Sequence, residues 1–159
     1  MAATTPSRER RATAMRAQPY YEDVAVGMEL PTLVKETSYM QLVVYAGASR
    51  DFYVIHHDRD HAKSVGLPDV IIQGSLKAAF LGQLVTRWMG EWATLRELAV
   101  QYRGIDVPGR PLTMKGRVTG KRADGPDHLV ECEIWIENAD GARTTRGTAV
   151  VALPSREQP

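Results

Sequence analysis

Asp51 and His56 lie five residues apart in the sequence, and Gly74 follows the aspartate after twenty-three positions. The pair stands between a segment with helical spacing and a loop, and the glycine opens a long apolar segment. A carboxylate and an imidazole can hold one water molecule and move its protons. The free N–H groups at a helix start can stabilise negative charge that develops on a thioester oxygen. Together these groups predict the addition of water to an activated double bond, or its removal.

The segment before Asp51 must place its carboxylate at the start of a loop. Ser38 and Gln41 have the spacing of a helix N-terminus, with a hydroxyl three residues before a glutamine. The apolar positions that follow predict a short helix through Ser49. Asp51 is therefore expected at or just past the end of this helix.

Two further helices are expected after the Asp51–His56 pair. Asp58 is suited to cap a short helix over His61–Val65. Residues 74–89 repeat apolar side chains at three- and four-residue steps and carry them on most sides. This second pattern predicts a long helix that other elements surround.

Strand-like segments supply that surrounding layer. Cys132, Ile134 and Ile136 alternate with glutamates and Trp135, which predicts a sheet with one covered face. Turn signals rich in Gly, Pro, Asn and Asp separate the segments after the long helix. One buried helix followed by an antiparallel meander predicts an α+β fold in which an antiparallel sheet wraps around one long central helix. The predicted strands are 28–37, 95–102, 112–122, 129–137 and 144–153.

Length and composition predict a single domain that needs no disulfide or structural metal to fold. The chain has 159 residues, with 43% hydrophobic and 25% charged residues, which is ordinary for a globular protein that buries its own core. Cys132 is the single cysteine, so no internal disulfide can form. No apolar run approaches the ~18 residues that a membrane span requires.

Charge is unevenly distributed between the N-terminus and the rest of the chain. Residues 1–18 hold four arginines against one glutamate, which predicts a disordered basic arm before a single domain over residues 19–155. The net charge is +1, and a near-neutral body argues against nucleic-acid binding. The arm has no apolar stretch typical of a secretory signal, so we predict a cytoplasmic protein.

The Asp-x4-His spacing, the following His57-Asp58 and the later Gly74-x-Leu resemble the MaoC-like acyl-CoA hydratases, which have a hotdog fold. Their usual motif reads roughly Gly-Asp-x-Asn-Pro-x-His-x-Asp, with His-Gly-Met-Leu later. In this chain Tyr53-Val54 replaces Asn-Pro, and Gln73 replaces the histidine before the glycine. Gly82 stands where many members carry a supporting serine.

The resemblance covers roughly positions 20–154 and implies a role for each matching residue. It implies that Asp51 and His56 form the catalytic pair and that the N–H of Gly74 forms the oxyanion hole. The implied reaction adds water to a 2-enoyl-CoA and gives a (3R)-3-hydroxyacyl-CoA. No cofactor is implied, because CoA is part of the substrate.

Three neighbouring residues are predicted to support the site: His57, Gln73 and Tyr53. Gln73 keeps a donor and an acceptor but cannot titrate, which favours an orienting role. Tyr53 either packs or reshapes the acyl pocket for a bulky group. The histidines and aspartates within 56–61 do not have a spacing that favours a metal, so we predict no metal site, with His57 and Asp58 as supporting or capping residues.

A narrower similarity concerns the substrate and the partner. Arg50-Asp51-Phe52, the charged run 56–60 and the Trp88-x-Gly90 ending are similar to the small catalytic subunits of actinobacterial steroid side-chain enoyl-CoA hydratases. Hotdog domains complete their substrate tunnel by pairing, so the resemblance implies a homodimer or a heteromer with a second hotdog chain. Candidates for the CoA phosphates, with none preferred, are Lys77, Arg87, Arg96, Arg103 and Arg110.

Two other functions stay open from the sequence. A hotdog acyl-CoA thioesterase would need a carboxylate on or beside the central helix, and residues 74–89 contain no Asp or Glu. A non-catalytic supporting subunit of a heteromeric hydratase would typically lack the aspartate or the histidine, and this chain retains both.

Overall fold

A computed structural model describes residues 18–157 of the protein. Apart from Gln18, the basic arm predicted for residues 1–18 lies outside the described residues. The described helices are α1 (Tyr39–Ser49), α2 (Arg59–Ser64) and α3 (Gly74–Met89), and a 3-10 turn at Val54–His56 lies between the first two. The strands are β1 (Leu33–Glu36), β2 (Thr94–Tyr102), β3 (Pro111–Asp124), β4 (Asp127–Glu137) and β5 (Arg143–Leu153).

The five strands form one antiparallel sheet in the order β1-β3-β4-β5-β2. The register shifts within β2, near Gly120 of β3 and at the start of β5. Such bulges bend a strand and increase its twist, so the sheet curls. The curled sheet packs around α3, which confirms the predicted α+β fold with a sheet wrapped around one long helix.

Helix α3 is the centre of the core. Phe80, Leu81, Leu84 and Val85 are buried in one cluster with apolar side chains of β3, β4 and β5. Each such side chain contributes about 1.5–3 kcal/mol through burial. The helix ends at Met89, and the next residue, Gly90, has a φ of 78° that favours glycine. A helix enclosed in this way gives its first residue, Gly74, a rigid base.

The predicted helix caps are confirmed. The Ser38 hydroxyl accepts a hydrogen bond from the N–H of Gln41 at 3.1 Å. The Asp58 carboxylate accepts from the N–H of His61 at 2.9 Å. Because a helix begins directly after its capping residue, α2 starts at Arg59 and not at the predicted His61.

The strand predicted over 28–37 is shorter in the structure. Pro31 lacks an N–H and interrupts the ladder, so β1 begins only at Leu33. The residues before the proline still bond to β3, since the N–H of Leu30 donates to the carbonyl of Gly116 at 2.8 Å. The segment therefore lies along β3 in two pieces.

The longest helix in the described part of the chain, α3, has 16 residues. No helix within residues 18–157 is long and apolar enough to cross a membrane. The cytoplasmic location stays a prediction.

Candidate active site

The Asp51 carboxylate lies at the entrance to the loop after α1. Arg50 ends that helix in the left-handed conformation, with φ of 58° and ψ of 26°, and so turns the chain away from the helix axis. The Asp51 side chain is 36% exposed, and its Oδ1 accepts from the N–H of Tyr53 at 3.4 Å. One carboxylate oxygen thus braces the loop, and Oδ2 remains directed towards His56.

His56 is held in a single orientation by a backbone carbonyl. Its side chain is buried, and its Nδ1 lies 2.7 Å from the carbonyl oxygen of Ile71. A carbonyl can only accept a hydrogen bond, so Nδ1 carries the proton. In the neutral imidazole the lone pair is then on Nε2, which faces Asp51. The ring is thereby prepared to accept a proton on that side.

The two side chains approach each other without forming a direct hydrogen bond. The distance from His56 Nε2 to Asp51 Oδ2 is 3.7 Å, beyond the about 2.7–3.2 Å of a normal hydrogen bond. A water beside this gap can donate one hydrogen to each atom at about 2.8 Å. Its oxygen lone pairs would then point away from both acceptors. This geometry suits a nucleophilic water.

The residues that hold His56 also lead directly into α3. The N–H of Ile71 donates to the carbonyl of Ile55 at 3.1 Å, in addition to the Ile71 bond with the His56 ring. Three residues later Gly74 begins α3. The imidazole and the helix start are therefore fixed by one short segment.

Gly74 presents an N–H that has no acceptor within its own helix. It is the first helical residue, and Gln73 before it makes no side-chain cap. A Cβ added to Gly74 would lie 3.0–3.3 Å from three ring carbons of Tyr102. The absence of a side chain at this position lets the tyrosine ring lie against the helix start.

The three predicted supporting residues have different environments. Gln73 is fully buried and its Nε2 donates to the carbonyl of Leu42 in α1 at 2.9 Å, while its Oε1 has no partner. It joins α1 to the start of α3, as an orienting residue would. His57 accepts a hydrogen bond from the Tyr39 hydroxyl on its carbonyl, and its buried Nδ1 is unpartnered. Gln73 therefore links two helices through its side chain, whereas His57 supports the loop through its backbone carbonyl.

Tyr53 does not pack into the core of this chain. Its side chain is 61% exposed, and its ring meets that of His56 edge-on at 6.1 Å between centroids. Phe52 beside it is 62% exposed. The packing interpretation is wrong within a single chain, and both aromatic residues that follow Asp51 in the sequence are exposed.

Sequence reasoning missed a buried ion pair below the start of α3. Lys77 was a candidate for CoA phosphates, but it is only 3% exposed and its Nζ lies 2.9 Å from Asp106 Oδ2. A lysine within an apolar helix stripe was a signal of burial with a partner. Nothing in the pattern around Asp106 identified that partner, twenty-nine residues away.

The other cations considered for CoA phosphates also have contacts in the structure. Arg96 pairs with Asp127 at 2.7 Å and Arg110 pairs with Asp140. Arg103 donates to the Gln101 side chain at 2.6 Å. These contacts lie at exposed side chains, where a substrate phosphate can compete with them.

Comparisons with known proteins show which chains this protein resembles. A beta subunit of 3-oxo-4,17-pregnadiene-20-carboxyl-CoA hydratase from Mycobacterium tuberculosis is 29% identical over 132 residues, which cover 83% of this chain and 97% of the relative. The solved ChsH1–ChsH2 complex from the same organism contains a chain with 26% identity and a TM-score of 0.73, covering 81% of this chain and 98% of that one. An (R)-hydratase from A. caviae involved in PHA biosynthesis has 25% identity and a TM-score of 0.75, covering 84% of this chain and 99% of that one.

The family model named MaoC like domain matches residues 23–138. That match spans β1, the loop with Asp51 and His56, α3 and most of the sheet. The chain belongs to the MaoC-like domain family.

Proposed function

We propose that this protein is an enoyl-CoA hydratase that adds water to a 2-enoyl-CoA and forms a 3-hydroxyacyl-CoA. The observation that carries the proposal is the 3.7 Å gap between His56 Nε2 and Asp51 Oδ2, with Nδ1 already committed to the Ile71 carbonyl. Two acceptors at this spacing hold and orient one water, and general-base assistance contributes about 10²–10⁴-fold. The relatedness to hydratases supports the same reaction.

In the proposed reaction the water oxygen forms a bond to C3 of the enoyl thioester. One water proton passes to the Asp51–His56 pair as the C2–C3 π electrons move towards the carbonyl. The thioester oxygen gains negative charge, which the Gly74 N–H and the positive end of α3 stabilise. The protonated pair then returns a proton to C2 and the carbonyl reforms, so that H and OH have been added across the double bond and the pair is back in its starting state.

A spectrophotometric assay tests the reaction class. A hydratase removes the absorbance of the conjugated enoyl thioester and releases no free thiol. A thioesterase releases free thiol, and a supporting subunit does neither unless its catalytic partner is present. Release of thiol at a rate equal to the loss of enoyl absorbance would contradict the proposed function.

We also propose that the acyl group is large and carries rings, as in the steroid substrate named for the mycobacterial relative. Phe52 and Tyr53 offer exposed aromatic surface directly next to Asp51. Val54 leaves free the backbone torsion that a proline would fix. Gly82 leaves space on α3, where a Cβ would meet only the Leu98 side chain at 3.5 Å. These features support a pocket with space for a bulky acyl group.

We expect a preference for the bulky substrate of at least tenfold in kcat/KM. The values of kcat/KM for a steroid side-chain enoyl-CoA and for crotonyl-CoA are measured in the presence of the partner subunit. A tenfold difference corresponds to about 1.4 kcal/mol of transition-state binding. Replacing Tyr53 with Ala should reduce the preference and leave crotonyl-CoA turnover within about twofold. Equal or better activity on crotonyl-CoA would remove the steroid proposal and leave the general hydratase.

The proposed partner is a second hotdog chain, either a copy or a related subunit. Strand β2 is at the end of the sheet, and its outer edge has no neighbouring strand within residues 18–157. An open strand edge is otherwise a site of aggregation. The mycobacterial relative is a beta subunit, and the similar solved chain belongs to a two-component complex. These facts support a heteromer.

The assembly prediction is a stable oligomer in light scattering coupled to size-exclusion chromatography. Leu98 on β2 is partly exposed, with its side chain beside Gly82 of α3, and Leu98→Lys should dissociate the oligomer or lower its solubility while the circular dichroism spectrum stays that of the wild type, because a charge would be buried at the edge. Val26→Lys, at an exposed apolar residue outside the sheet edge, is the control that should leave assembly unchanged. A monodisperse, fully active wild-type monomer would refute this prediction. A lone chain that becomes soluble only with a related subunit would support the heteromer.

A further inference from the structure

A buried ion pair connects the first turn of α3 to the segment that leaves β2. Lys77 Nζ donates to Asp106 Oδ2 and to the carbonyl of Gly104, both at 2.9 Å. Asp106 Oδ2 also accepts from the Thr144 hydroxyl at 2.7 Å. All three charged or hydroxyl-bearing side chains are buried.

Helix stability does not explain this arrangement. A cation in the first turn of a helix is opposed by the helix dipole. Removing two charges from water also costs free energy, and their mutual attraction often does not offset that cost. Apolar residues can often replace such a pair with no loss of folding stability. The pair is unfavourable in both respects, so we look for its role in the relative position of the two segments that it joins.

The segment attached by Lys77 contacts the start of α3 at two other points. Tyr102 lays its ring against Gly74, where a Cβ would be 3.0–3.3 Å from the ring carbons. The carbonyl of Asp106 accepts from the N–H of Ile72 at 2.8 Å. Ile72, Gly74 and Lys77, which lie around the start of α3, therefore all contact residues 102–106.

We propose that the Lys77–Asp106 pair is a positioning device that holds the Gly74 N–H where the substrate oxygen receives it. The proposal deepens the proposed function, on which it rests for the identity of that oxygen. An oxyanion donor acts only within about 2.7–3.1 Å of the developing charge. A displacement of about 1 Å can cost about 10²-fold in rate. The pair joins two segments twenty-nine residues apart and limits such displacement.

The test replaces both charges together with Lys77→Met/Asp106→Asn, so that no unpaired charge is buried. The matched control, Arg156→Met/Asp23→Asn, removes an exposed ion pair of 2.7 Å far from α3's first turn along the chain. Amide hydrogen exchange of residues 72–77 is measured relative to residues 129–136 of β4. The steady-state kcat and KM for an enoyl-CoA are measured in parallel.

We expect the exchange rate of residues 72–77, divided by that of the β4 reference, to rise at least tenfold above its wild-type value. The kcat should fall at least tenfold, with KM within about threefold of the wild-type value. The control should show neither change. Unchanged exchange overturns the proposal, and so does faster exchange with unchanged kcat. If the wild type hydrates no enoyl thioester, the proposed function fails, and the exchange measurement alone decides whether the pair holds the helix start.

A milder variant keeps the proposal testable if the double variant does not fold. Thr144→Val retains shape and removes one hydrogen bond to Asp106. In this variant the exchange rate of residues 72–77, divided by that of the β4 reference, should be at least threefold above the wild-type value, and kcat should be lower. Exchange at the wild-type ratio in this variant overturns the proposal.

Discussion

Asp51→Asn and His56→Ala should each lower the hydration rate at least 10²-fold, the low end for general acid–base catalysis. Either change removes one of the two acceptors, 3.7 Å apart, that orient the water in the proposed mechanism. Because the proposed mechanism has both side chains act on the same water, the double variant should be little worse than either single variant. Steady-state assays of enoyl absorbance measure the effect.

Asp60→Asn provides a matched control for the loss of a carboxylate. Asp60 is exposed on α2, close in sequence to the pair, and should retain wild-type kcat. Circular dichroism melts separate loss of catalysis from loss of fold, which matters for the buried His56. Retention of more than about half the activity at Asp51→Asn or His56→Ala would remove that residue from the proposed mechanism.

Gly74→Pro should lower kcat by about 10²–10³-fold, the loss that follows removal of one oxyanion-hole donor. Proline deletes the N–H, and the first position of a helix tolerates it well. Gln73 already has φ of −56° and ψ of 137°, the extended conformation that a residue before proline requires. The helix should therefore persist while its donor is lost.

Gly74→Ala isolates the role of the amide in this experiment. Alanine keeps the N–H and adds the Cβ that meets the Tyr102 ring, as proline also does. Because Tyr102 is half exposed, its ring can move, and the loss of kcat should stay below about tenfold. Equal losses in Gly74→Pro and Gly74→Ala would show that crowding against Tyr102 matters and the N–H does not.

Local sequence signals predicted most of the elements that carry the site. Hydrogen bonds between near neighbours define the caps at Ser38 and Asp58, so residue type and spacing were enough to find them. The periodicity of residues 74–89 predicted α3 with its observed bounds. Strand β1 is shorter than predicted because the prediction relied on the alternation of apolar residues and ignored that Pro31 has no N–H to donate.

The sequence by itself determined the capping residues of α1 and α2, the bounds of α3, the strand pattern after α3, the family and the residue types at the candidate site, because these depend on local spacing and on the types of side chain. Only the tertiary structure decided which imidazole nitrogen faces Asp51, since the Ile71 carbonyl that sets it lies fifteen residues from His56. The Lys77–Asp106 pair likewise joins distant segments through burial. Contacts of this kind follow from how the sheet closes around α3, and no local pattern encodes them.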